Sequence, residues 1–96
     1  MNATSVMNMR IAPAARKVLE SWSCAPELKG HVPTIVWMGD SEGRHWGWSV
    51  GTYKREDIPS TGFVMVDGVE FVIEEALRAR LSGKVLDYID GYFVVR

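Results

Sequence analysis

Two runs near the C-terminus constrain the fold of this chain most: "FVMVDGVEFVI" at 63–73 and "KVLDYIDGYFVV" at 84–95. Each sets an Asp-Gly pair between stretches rich in β-branched and aromatic residues. Asp67-Gly68 and Asp90-Gly91 favour positive φ at two consecutive positions, as a type I′ turn requires. The two runs therefore predict two antiparallel hairpins. Between them a short helix is expected from about Glu74, with Leu77 and Leu81 four apart on one face. Glu74 and Arg78 stand at i,i+4 in the favourable orientation, and Gly83 is placed to end the helix in a left-handed conformation.

Upstream, Pro13 suits the first position of a helix, where its missing N–H costs nothing. Ala15, Val18, Leu19 and Trp22 then fall at i, i+3, i+4 and i+7, one apolar face of a helix of about ten residues that Ser23 to Pro26 ends. "PELKGHVP" reads as a loop, closed by Pro33, that contains a solvated His31. "TIVWM" (34–38) is a strand candidate. Residues 45–53 alternate: Trp46, Trp48, Val50 and Thr52 share one face, and Gly47, Ser49, Gly51 and Tyr53 share the other. The order helix, four strands, helix, two strands points to an α+β fold with mostly antiparallel sheets. Residues 1–9, polar with three methionines, are expected to form a flexible N-terminus, and 10–96 a single domain.

Net charge is −1, so no global field draws nucleic acid or an anionic membrane. The charge is uneven along the chain. Residues 1–55 hold seven basic and four acidic side chains, and residues 56–96 hold four basic and eight acidic ones. No apolar run approaches the ~18 residues needed to span a bilayer, and the start lacks the apolar core of a secretory signal. A cytoplasmic protein is the expectation. One cysteine excludes an intrachain disulfide framework and any C-x-x-C motif.

The chemically suggestive stretch is "VWMGDSEGRHWGW" (36–48), where Asp40, Glu42 and His45 are residue types that bind metals or move protons. Their spacing matches neither an EF-hand loop nor H-E-x-x-H, and acidic and glycine residues also suit an exposed strand connection. Trp37, Trp46 and Trp48 form an unusual cluster. They would either fill the core of a small protein or present an aromatic surface to a partner. Glycines 47 and 51 leave the opposite strand face nearly bare, a mark of close approach by another backbone or a ligand. Cys24, at the end of the first helix, has no base or charge nearby in sequence to lower its pKa. "SGK" at 82–84 lacks the surroundings of a phosphate-binding loop and serves as a helix stop.

The second half resembles the HesB-like family, whose best-known members are A-type iron–sulfur scaffold proteins. The resemblance rests on Asp67-Gly68-Val69, Phe71 and Ile73, the helix ending at Leu81 and Gly83, then Leu86-Asp87-Tyr88 and Phe93. Residues 10–66 agree more loosely, through a short strand near Ile11, a helix from Ala12 and a strand pair. The resemblance implies a HesB-like domain over 10–96, a small β-sandwich or pseudo-barrel with an N-terminal helix. In the family's scaffold members one cysteine lies in a glycine-rich turn after the first long strand, and a Cys-Gly-Cys pair lies beyond the final strand. Here the turn from Gly39 to Gly43 holds Asp40, Ser41 and Glu42 but no thiol, and the pair would fall past Arg96. Iron–sulfur clusters are held by thiolates, which carboxylates replace poorly.

The expectation is thus a non-catalytic binding or adaptor protein without a cofactor or a bound metal. Its partner surface would draw on Trp37, His45, Trp46, Gly47, Trp48 and Gly51, and would serve a homodimer or another protein. The alternative is an iron or other metal carrier using Cys24, or Asp40, Glu42 and His45, between subunits.

Overall fold

Apolar periodicity and the Asp-Gly turns place most elements where the sequence predicts them. The computed structural model describes residues 5–39, 42–43 and 45–96. Strands β1 (Ser5–Met7) and β2 (Arg10–Ile11) precede helix α1 (Pro13–Ser23), followed by β3 (His31–Gly39) and β4 (Trp46–Lys54). Then come β5 (Phe63–Val66), β6 (Val69–Val72), helix α2 (Glu75–Leu81), β7 (Val85–Ile89) and β8 (Tyr92–Val95). Pro13 opens α1, and Ala15 and Leu19 form its buried stripe. Asp67 and Gly68 have φ of 46° and 83°, and Asp90 and Gly91 have 53° and 85°, so both turns take positive φ twice in succession. Gly83, at φ 79°, follows α2.

The strands form two open mixed sheets, ordered β1-β5-β6-β3-β4 and β2-β7-β8. The sheets do not close into the expected pseudo-barrel, and although most strand pairing is antiparallel, as expected, parallel ladders also join the hairpins to the rest of the fold. The hairpins β3–β4, β5–β6 and β7–β8 are antiparallel. Parallel ladders join β1 to β5, β2 to β7 and β3 to β6. Because β1 and β4 end the larger sheet unpaired on one side, it does not close.

In the expected flexible N-terminus, residues 1–4 lie outside the described part and residues 5–7 form β1. β1 adds in parallel to β5, with Ser5 opposite Val64, and Met9 is buried. The backbone amide of Arg10 donates to Lys84 O at 3.1 Å, and that of Ala12 to Leu86 O at 2.8 Å. These bonds strap the chain before α1 onto β7.

The core gathers Ile11, Ala15, Leu19, Ile35, Val64, Val66, Phe71, Ile73, Leu81 and Leu86 from both helices and both sheets. β3 lies between β6 and β4 and buries Val32, Thr34 and Ile35 in near succession, as a central strand does. Among the described residues no buried side-chain nitrogen or oxygen lacks a hydrogen-bond partner, and no helix is long and apolar enough to cross a membrane.

Candidate functional site: the β3–β4 hairpin and the cleft at its base

Nine registered pairs hold β3 against β4, with Trp37 opposite Trp48 and Gly39 opposite Trp46. Cross-strand partners project to the same face, so the three indoles stand in one row. Their surroundings differ. Trp37 and Trp48 meet edge to face, with centroids 5.0 Å apart. The Arg80 guanidinium from α2 lies 4.4 Å from the Trp37 centroid and 4.9 Å from that of Trp48. The chain's own cation thus occupies ring faces that a base or sugar would use. Trp48 also packs on the core.

Trp46 is 59% exposed. Its Nε1 donates to Gly43 O at 3.0 Å, and its ring lies over Gly39. A Cβ at Gly39 would come within 2.8 Å of that ring, so the bare backbone there lets the indole fold across the hairpin end.

On the other face of β4, a Cβ at Gly47 or Gly51 would meet nothing within 4 Å. These glycines therefore leave an open shelf, near the exposed side chains of Met38 and Tyr53. β4 is hydrogen-bonded to β3 alone and ends its sheet, with β8 of the smaller sheet packed near it.

In the turn, Asp40 lies outside the described residues, while Glu42 and His45 are exposed. Cys24 is exposed at the C-cap of α1, where its N–H donates to Ser21 O at 3.3 Å. Among the described residues no three His, Cys, Asp or Glu side chains come close enough to hold a metal ion.

The structure also forms a cleft that the residue pattern did not announce. It lies between the end of α1 and the base of the β3–β4 hairpin. Gly30, at φ 81°, turns the chain from the 3₁₀ turn Pro26–Leu28 into β3, and Gly30 O accepts the Arg55 amide at 2.8 Å. His31, predicted in a solvated loop, is half-buried as the first residue of β3. Its Nδ1 shares a hydrogen bond of 3.1 Å with Thr52 Oγ1. Across the opening, Arg55 pairs with Glu70 and lies 5.0 Å over the Phe63 ring.

Two carboxyls are displaced below the ordinary carboxylate range. Asp67 is lowered first by the backbone amide of Ile11, which donates to its Oδ2 at 3.0 Å, and then by Arg16. Asp87 is lowered first by the Tyr88 amide and then by Arg96. Both are structural clips, Asp67 between the β5–β6 turn and the start of α1, and Asp87 between β7 and the last residue of the sequence. No protein-family model and no curated protein matches this chain.

Proposed function

We propose that this chain is a non-catalytic binding protein, a HesB-like domain whose glycine-rich turn carries Asp40, Ser41 and Glu42 in place of a cluster thiol. Its working surface is β4, and its first partner is a second copy of itself. One observation carries this reading. The eight residues from Trp46 to Tyr53 contain no charge and no proline, yet they form a strand paired on one side only. Exposed edges are ordinarily blunted by charged residues, proline or bulges, because an open edge templates further pairing.

Antiparallel pairing of two β4 strands centred on Val50 sets Lys54 of each copy opposite Trp46 of the other, so the lysines do not meet. Gly47 and Gly51 leave room on the outer face for the second copy's side chains. Sedimentation equilibrium tests this directly. A dimer is expected for the unaltered chain, and a monomer with unchanged circular dichroism for Ser49→Lys, which puts a charge in mid-edge. A unaltered chain that stays monomeric at every concentration would remove the homodimer.

A further inference from the structure

The cleft at the base of the hairpin shares only the last residues of β4, Thr52 and Lys54, and has the build of a small-molecule site. Its inner chamber, about 190 Å³, is walled by Leu19, Trp22, Leu28, Val32 and Val69. An apolar cavity of about 150 Å³ admits a benzene ring, so this chamber is sized for one ring or a short branched chain. An outer chamber shares His31 and Arg55 with it and adds Lys29, Lys54 and Glu56. Over both chambers three cations, Lys29, Lys54 and Arg55, face two carboxylates, Glu56 and Glu70, a balance of +1.

These charges are not equivalent. Arg55 is held by Glu70 and by the Phe63 ring, which makes it a fixed wall. Lys29 and Lys54 have no ion-pair partner among the described residues. They are the cations left to meet a ligand. His31 and Thr52 add a hydrogen-bonding wall where the two chambers join.

We propose that this cleft binds a small carboxylate with a ring-sized apolar body. The ring enters the inner chamber beside Trp22, and the carboxylate stays at the mouth with Lys29 and Lys54. A monoanion suits a site with one surplus positive charge. A phosphate monoester, with about −1.5 to −2 charges, would overfill it. An amine would meet two ammonium groups already present. Ligand sites of this kind pair a mostly apolar chamber with a few placed polar groups.

The test uses 3-phenylpropionate as the probe and follows backbone amide shifts by NMR. The expected outcome is saturable binding with Kd on the order of 1 mM, as a ligand of this size allows. Shifts should centre on Leu19, Trp22, His31, Thr52 and Arg55. The matched alcohol, the matched amine and acetate alone should each bind at least about tenfold more weakly. The double variant Lys29→Ala, Lys54→Ala removes two exposed side chains and should keep the fold while losing a similar factor. Absence of shifts, equal binding of the amine or of the matched phosphate monoester, equal binding by the double variant, or shifts confined to residues 46–51 would each overturn the proposal. The same binding is expected of the monomeric Ser49→Lys chain, so failure of the dimer and failure of this site are distinguishable.

Discussion

The two Asp-Gly hairpins carry the same turn, yet the fold uses them differently. Asp67-Gly68 and Asp90-Gly91 have nearly the same backbone angles. Around the first, Val64, Val66 and Phe71 are completely buried, and Asp67 reaches out of its own hairpin. Its Oδ2 accepts the Ile11 amide and pairs with Arg16 at 3.0 Å, while its carbonyl accepts a second Arg16 bond at 2.8 Å. Around the second, Phe93 and Tyr88 are half-buried and Tyr92 is 74% exposed. Asp90 is an exposed turn residue, and the clip in that hairpin is Asp87, which binds Arg96 within the same sheet. A turn motif thus specifies local geometry and leaves open whether its aspartate also ties distant parts of the chain together.

The contrast is easiest to break in the cores of the hairpins. Phe71→Ala should cost about 3–5 kcal/mol, the range for emptying a fully buried aromatic site. Phe93→Ala should cost less, about 2 kcal/mol, since that ring is part-exposed and its edge-to-face contacts with Trp22 and Tyr88 add only about 0.5–1.5 kcal/mol each. Urea unfolding of both variants checks the order; equal losses would mean that the second hairpin shares the core fully.

A smaller effect sharpens the likeness instead. Gly68→Val and Gly91→Val each force a β-branched residue into the left-handed region, at about 1–3 kcal/mol. A Cβ meets no neighbour at either glycine, so the two losses should agree closely. A large difference would show that one turn is under tertiary load beyond its own angles.

The smallest effect isolates the clip. Asn tolerates positive φ, so Asp67→Asn keeps the turn and removes the charge that Arg16 meets. Asp67→Asn should destabilise measurably at neutral pH and Asp90→Asn hardly at all. The pH dependence follows from the lowered carboxyl of Asp67. Its stabilisation is complete above about pH 4, the ordinary aspartate range, and is lost as pH falls through the folded value. The gap between the unaltered chain and Asp67→Asn should therefore close on acidification, as thermal unfolding between neutral and acidic pH would show. A gap independent of pH would assign the effect to hydrogen-bond geometry alone.

Much of this architecture was legible in the sequence. The stripe Ala15, Leu19 and Trp22, the alternation after residue 45 and the two Asp-Gly pairs are local signals, and local signals set local structure. β1 escaped because a strand of three residues carries no periodicity and its parallel partner β5 lies far along the chain, while the short strand near Ile11, β2, was expected only through the family resemblance and not from any local pattern. Arg78 shows the same limit. At i,i+4 it was matched to Glu74, but it donates instead to Ile73 O at 3.0 Å and to Thr61 O at 3.3 Å. The tryptophans were visible as a cluster, whereas their division was not. Arg80 covers Trp37 and Trp48, while Trp46 folds over the hairpin end.

The sequence by itself determined which segments are helices and strands, where the hairpins turn, and that β4 would have a bare glycine face. Those properties depend on residues a few positions apart. Only the tertiary structure decided that β4 lies at an edge, that Asp67 fastens α1 to the β5–β6 turn, and that a cleft opens between His31, Thr52, Arg55 and Glu70. The contacts that shape that cleft join residues 15 and 21 positions apart, through Arg55 with Glu70 and His31 with Thr52. Such contacts form only when packing brings separate elements together, and no local pattern of side chains encodes that meeting.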